Sequence, residues 1–417
     1  MLQKVYCSLF LTAALLVGAP KAFAEPGITL DSYLQTTMTH SPEAATVMAE
    51  VQGLEANAIE AEQRSNPTLQ ADMTAVRKGT GRELEVELEQ PLRGSDFGAR
   101  KNYAIAIRAT KNPEQKAKLL ALSHEATRAY ADLWLSQEKL SLVGRLAADA
   151  KRQMEIIKDA VAAGTTDSAE AKILSTEVAE LELQKSFLSA ERRTLLNAFV
   201  RLAGLPAKDY QLAVPPAREL PKTTDMLVKM AENEASIRAI LAGRRGIAER
   251  RLATAQADAV LPEIAPRAVL RKDFSNDKDS VLLGIRVALP LWSRNQAEVL
   301  RARADYESTG TALKALKEND FPAVLKNAWR AAKDSEVIAS QYRNAVVPGW
   351  RDVEKLTESR LSVGQATIFD LWQARTRVLD SETKGLEARR AAVEAVLALE
   401  NLAGVAFTGG SSKGEWQ

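Results

Sequence analysis

Leucine returns at every seventh residue from Leu174 through Leu181, Leu188 and Leu195 to Leu202, with Val178 and Phe199 each four residues beyond a member of the series. A sustained seven-residue spacing predicts a helix packed in coiled-coil fashion on its neighbours, with the stripe as core. A weaker copy runs through Leu379, Leu386 and Val393, with Leu397 beside them. Elsewhere the period drops to two. Leu69, Ala71, Met73 and Ala75 alternate with Thr68, Gln70, Asp72 and Thr74, and Leu84, Val86 and Leu88 alternate with Glu83, Glu85, Glu87 and Glu89. Ile264, Pro266, Ala268 and Leu270 oppose Glu263, Arg267 and Arg271. Leu283, Ile285, Val287 and Leu289 oppose Gly284, Arg286 and Ala288. These are four strands, each apolar on one side, joined in pairs by polar turns at Lys78–Arg82 and Lys272–Ser280. Helices are expected over 30–65 and 224–260. Ser95 to Val161 is nearly all fair helix formers apart from Asn112-Pro113, a rod of roughly 100 Å at 1.5 Å per residue. Pro322 and Pro348 predict kinks or breaks.

The chain states this plan twice. Asn66-Pro67 opens the first hairpin and Gln90-Pro91 closes it; Leu261-Pro262 and Leu289-Pro290 do the same for the second. Pro91 to Gly164 spans 73 residues and Pro290 to Gly364 spans 74. Gly164 to Gly204 and Gly364 to Gly404 are both 40. The hairpins differ by four residues, which a surface loop absorbs. The expected organisation is therefore a first repeat over 25–205 (hairpin 67–92, tip near 164) and a linker over 206–223. A second repeat over 224–405 (hairpin 262–290, tip near 364) and a tail over 406–417 complete it. Pro215-Pro216 favours an extended linker. The fold class is mainly α with a small β part.

Residues 1–24 stand outside the repeat. Lys4, an apolar run over 8–19 and Ala22-Phe23-Ala24 have the form of a secretory signal peptide cleaved after Ala24. Cleavage would leave 393 of the 417 residues, remove Cys7, the only cysteine, and remove Lys4 and Lys21, which carry the whole formal charge of +2. The exported chain would then have no disulfide, thiolate ligand or cysteine nucleophile. Balanced charge argues against a nucleic-acid binder. His40 and His124 are 84 residues apart, with no ligand spacing for a metal. Phosphate-loop, nucleophile-elbow and dinucleotide motifs are absent. Neither enzyme activity nor a cofactor is expected.

Long polar helices offer the apolar strand faces nothing to pack on, whereas lipid does. Four strands cannot close a spanning barrel, and an open edge in lipid is costly. Several chains must share one barrel. Two would give eight strands filled by side chains; three would give twelve and a lumen. Asp72, Glu83, Glu85, Glu87, Glu89, Arg267, Arg271 and Arg286 would line that lumen with both signs of charge. Trp292 is a candidate membrane-interface anchor or a packing residue.

These features resemble the TolC-like outer-membrane efflux family over almost the whole chain, from Ile28-Thr29-Leu30 through Ser41-Pro42-Glu43 to Gly404. Ser65 to Leu69, Glu89 to Leu92 and Val287 to Gln296 resemble boundary motifs of its cobalt–zinc–cadmium (Czc-type) branch. The resemblance implies a homotrimer in the outer membrane of a Gram-negative cell, with a twelve-stranded barrel on a periplasmic helical barrel. It implies a passive exit duct for divalent heavy-metal cations, working with a periplasmic adaptor and an inner-membrane pump. Ala163, Gly164, Val363 and Gly364 would be the adaptor-docking tips, though a glycine there also serves as a plain helix cap. Asp370 falls where the family can form an acidic constriction ring, Gln373 replaces the second ring, and Glu170 is the repeat partner of Asp370. Asp370 equally suits the first turn of a helix. Ala366 stands where an arginine helps lock the family's tip. Multidrug efflux, protein secretion and a non-transporting exported coiled-coil scaffold are the competing readings.

Overall fold

The computed structural model describes residues 27–407 apart from 76–81, 164–167, 233–235, 276, 290 and 319. The leader, Gly164, most of the Lys78–Arg82 turn and most of the tail lie outside the described residues. The elements are α1 (Leu30–His40), α2 (Pro42–Glu62), β1 (Thr68–Ala75), β2 (Arg82–Glu89), α3 (Ala99–Ala162) and α4 (Ser168–Ala203). Then come α5 (Thr224–Met230), α6 (Ile237–Val260), β3 (Glu263–Asp273), β4 (Lys278–Ala288), α7 (Gln296–Glu318), α8 (Phe321–Gln341), α9 (Val347–Ser362) and α10 (Ile368–Ala403). Helices predominate, with one small antiparallel sheet.

Where a single helix is expected over 30–65, two form. Pro42 disfavours helical geometry at Ser41, which is extended (ψ 142°), and the Ser41 hydroxyl accepts the Ala44 N–H at 2.8 Å to start α2. The 224–260 stretch divides likewise into α5 and α6, the second capped by Ser236. The long rod does form: α3 has 64 residues and runs straight through Pro113. A proline inside a helix costs about 3 kcal/mol, and packing of α3 on α2, α4, α6 and α10 offsets it. Of the two later prolines, Pro322 starts α8 after a left-handed Asp320 (φ 50°). Pro348 breaks nothing. A single π turn over Tyr342–Val346 precedes it and leads directly into α9, a common way for a helix to absorb a misfit.

The α4 heptad packs as expected, with Leu174, Val178, Leu181, Phe199 and Leu202 buried. The α10 stripe is displaced by one position: Leu371, Val378, Ala392 and Leu399 are the buried heptad column, while Leu379, Leu386 and Val393 are half-buried. Gly385 completes that column and lets α10 approach Tyr342, to which an added Cβ would come within 3.4 Å. Small residues at two of its places hide this seam from a count of large aliphatics.

Among the described residues, four cores run along the helices. One joins α1, α3 and α4 to the linker around Tyr33, Tyr130 and Phe199, with the Tyr33 and Phe199 rings stacked 4.0 Å apart. A second lies between α3, α4 and α10, and a third between α5, α8, α10 and Phe407. The fourth sits between α2 and α3 beside the sheet. The linker has no helix and pairs with the start of the chain through Ile28 and Leu212.

Candidate functional site

The strands pair in the order β1-β2-β3-β4, all antiparallel, so one edge of β1 and one edge of β4 have no partner strand among the described residues. The register sorts the side chains. Leu69 lies opposite Leu88, Met73 opposite Leu84, Val86 opposite Leu270, and Ala268 opposite Leu283. That face is apolar and open: Leu69, Met73, Leu283 and Ile285 are each at least two-thirds exposed. The other face brings together all eight charged residues expected on it. Asp72 lies opposite Glu85, Glu85 opposite Arg271, and Glu89 opposite Arg267. Arg271 donates to Glu85 at 2.8 Å, Arg267 to Glu87 at 3.4 Å, and Arg286 bonds Glu89. Asp72 accepts from Gln70 at 2.8 Å. Glu85, Glu87 and Glu89 of β2 thus form a cross-strand ion ladder with the arginines of β3 and β4, a pairing that depends on the register, whereas Glu83 lies opposite Asp273.

The second turn is shorter than Lys272–Ser280, because the ladder continues outward. Lys272 lies opposite Asp279, with an ion pair at 3.5 Å, and Asp273 opposite Lys278. Below the sheet the two hairpins meet backbone to backbone. Leu92 and Ile264 exchange N–H···O bonds of 2.8 and 2.9 Å. A Cβ on Gly94 would come within 2.2 Å of the Ala257 carbonyl oxygen, so only glycine fits there. Trp292, 87% exposed, and Phe97, 72% exposed, flank this junction. Phe97 carries no periodic signal and is missed by pattern reading.

At the far end of the helices, Ala163 caps the C-terminus of α3 and Val363 that of α9, both exposed. Gly364 is left-handed (φ 73°). Its N–H donates to Leu361 O at 3.0 Å, and the Gln365 N–H donates to Arg360 O at 2.8 Å, which closes the helix. A Cβ there would touch nothing within 4 Å, so Gly364→Ala is expected to cost only the left-handed backbone penalty, about 1 kcal/mol. Hydrogen exchange should show the last turn of α9 loosened and the buried seam unchanged.

Ile157, Leu174, Ile368 and Trp372 pack together, so both helix turns lie at the same end. Asp370 and Gln373 are exposed on the first turns of α10 and border one groove with Glu177, Trp350 and Phe369. Glu170 lies in α4, but its side chain is outside the described residues. Asp370 forms a capping box. Its carboxylate accepts the Thr367 N–H at 2.8 Å and the Thr367 hydroxyl at 2.9 Å, while its own N–H donates to the Thr367 hydroxyl at 3.1 Å. The Thr367 N–H, then the Thr367 hydroxyl, hold the Asp370 carboxyl below the ordinary aspartate range. A lowered value means that the cap is intact above the unfolded-state value and is lost as pH falls through the folded one. Acidification should therefore fray the start of α10. The Thr367 amide resonance should report this titration in the parent protein and lose it in Asp370→Asn.

Sequence reading also missed a buried charge cluster. The Glu400 carboxylate, 0% exposed, bonds His124 Nε2 at 2.9 Å, the Phe407 N–H at 2.6 Å, and Arg218 of the linker. Arg218 also donates to the Thr127 hydroxyl at 3.0 Å. Among the described residues no group of three or more His, Cys, Asp or Glu side chains could hold a metal ion, and no helix is long and apolar enough to cross a membrane.

Residues 230–405 match the family model described as outer membrane efflux protein. The chain is 22% identical over 380 residues to the cobalt-zinc-cadmium resistance protein CzcC of Cupriavidus metallidurans, covering 86% of this chain and 87% of that protein. Its fold is similar to the outer membrane protein VceC of Vibrio cholerae (TM-score 0.71, 17% identity, 91% of this chain and 97% of that one). It is also similar to the CmeC outer membrane channel of Campylobacter jejuni (TM-score 0.73, 12% identity, 91% and 86%). The segment from the end of α5 to just past α10 thus matches the outer membrane efflux protein family, and the chain shares the fold of outer-membrane channel proteins over nine-tenths of its length.

Proposed function

We propose that three copies of this chain close one twelve-stranded barrel and serve as the exit duct of a tripartite efflux system for divalent heavy-metal cations. One observation carries the reading: among the described residues, a four-stranded sheet with two unpartnered edges, one face apolar and exposed up to the charged outer end at Arg82, Lys272 and Asp279, and one ion-paired face. Lipid would cover the first face and water the second. The edges would be satisfied by the next copy, since an open edge in hydrocarbon leaves backbone groups unbonded at several kcal/mol each. The helices of each copy would extend the lumen into the periplasm. The hairpin ends would face outward and the turns at Ala163-Gly164 and Val363-Gly364 would dock on a periplasmic adaptor, which connects to an inner-membrane pump. A leader of residues 1–24 would direct export. Similarity to CzcC, whose name states cobalt-zinc-cadmium resistance, supports metal cations as cargo. Choice of cargo and driving force then rest with adaptor and pump.

At the constriction, three Asp370 carboxylates facing one narrow pore would attract cations and repel one another. Glu170 and Gln373 would stand nearby on the same wall. Asp370→Ala is expected to raise single-channel conductance and weaken block by divalent cations; bilayer recordings identical to the parent protein would remove Asp370 from the gate. The cargo assignment is tested by deleting the gene and growing cells on zinc, cobalt, cadmium and nickel and on an antibiotic panel. Metal sensitivity without drug sensitivity is expected. Drug sensitivity alone would keep the duct and overturn the cargo.

A further inference from the structure

Between the proline-rich linker, α8 and α10 lies a cavity of about 640 Å³ that the duct reading does not use. Much of its wall is apolar, supplied by Leu30, Pro215, Leu220, Val393 and Val396. Two guanidinium side chains border it: Arg343 from the π turn and Arg389 from α10. Arg389 lies over the Trp134 ring at 5.0 Å and bonds the Pro215 carbonyl, so its position is fixed. Burial, then the positive charge of Arg343, bring it down to about 10, which leaves it cationic at neutral pH. Arg343 donates to Asn344 Oδ1 at 2.9 Å. Lys222 and Glu219 of the linker also border the space. Glu336 does too, and burial pushes its carboxyl up, toward the neutral form. Arg218 is committed to Glu400 and Thr127.

The size and lining are those of a small-molecule site, apolar with a few convergent polar groups. Arg343, exposed at the rim, and Arg389, more deeply placed, are like charges near enough for one to act on the other, and an anion between them would offset that repulsion. Guanidinium groups match the planar, two-oxygen edge of carboxylates and phosphates. We infer that this cavity binds a small amphipathic anion, a carboxylate or phosphate ester on an apolar body, held by Arg343 and Arg389. Because Arg343 lies in the π turn, the bound anion would tie that turn to α10.

The test uses the full-length protein in lipid nanodiscs, titrated calorimetrically with 2-naphthoate, 1-naphthyl phosphate and, as the charge-reversed control, 1-naphthylmethylammonium. One saturable site per chain is expected for at least one anion, and the tighter of the two identifies the headgroup. The ammonium should not saturate. Arg343→Gln should weaken the anion about tenfold, and Val393→Trp, which fills the cavity, should abolish binding. Failure of both anions to saturate, equal binding of the ammonium, or unchanged binding in either variant would overturn the assignment. Conductance of the parent preparation reports separately on the duct, so the two readings fail independently.

Discussion

Leu283→Arg is expected to abolish assembly of the channel, whereas Leu282→Arg, one residue earlier, should be tolerated. Both side chains are more than half exposed in the single chain, at 78% and 56%. A water-soluble sheet would therefore treat the two alike. They point to opposite faces. Leu283 lies opposite Ala268 on the apolar face and is the middle residue of β4, while Leu282 lies opposite Val269 on the ion-paired face. An arginine on the lipid side of a barrel costs about 2–4 kcal/mol near the bilayer midplane. Three symmetry-related copies would raise this to about 6–12 kcal/mol per barrel, comparable with the whole stability of a typical domain. On the lumen side water solvates the charge and the cost nearly vanishes. Semi-native gels for a heat-resistant oligomer and bilayer conductance read the contrast directly. Equal behaviour of the two variants would sink the assignment of faces.

Glu400→Ala should be the most damaging single change in the helical part, at about 3–5 kcal/mol, because it leaves buried partners without their counter-charge. Three distant segments converge on this carboxylate: α3 through His124, the linker through Arg218, and the segment after α10 through the Phe407 N–H. Phe407 packs in the same core as Leu227 and Leu399, so its anchorage loosens as well. Replacing both charges, as in Glu400→Leu combined with Arg218→Met, should restore part of the loss, since no charged pair is then half-broken. The heat-dissociation midpoint of the oligomer measures both. A midpoint for Glu400→Ala equal to that of the parent protein would show that the cluster contributes nothing.

The strands were legible because their signal is local: a period of two survives whatever the partners are. The two-repeat reading rests on equally local marks, the recurrence of hairpin prolines and turn glycines. The break at Ser41 also had a local signal, Ser-Pro, but it was overlooked inside a long run of helix formers. The α10 seam lies one position from the aliphatic stripe because Gly385 and Ala392 carry no hydrophobic mark in the sequence. Glu400 was illegible in principle. On its helix it looks like any solvated acid, and its burial depends on His124 and Arg218, which are 276 and 182 residues away in sequence. The ion ladder lay between these cases. Its members and their face followed from alternation, but which glutamate meets which arginine depended on the β2–β3 register. Asp370 matches its helix-start reading, an exposed first-turn acid that caps α10, while its place in a constriction ring belongs to the proposed trimer.

In the proposed trimer the free edge of β1 in one copy pairs with the free edge of β4 in the next. Cysteine cross-linking in outer membranes tests it directly, in a Cys7→Ser background because Cys7 is the chain's only cysteine. Single cysteines would replace Gln70, Asp72 or Thr74 on β1 and, in the same chain, Ser280, Leu282 or Gly284 on β4, so that mild oxidation scans the neighbouring registers. A covalent band at three chain masses, and nothing larger, is expected. Chains that stay at one mass, or a ladder extending beyond three, would contradict it.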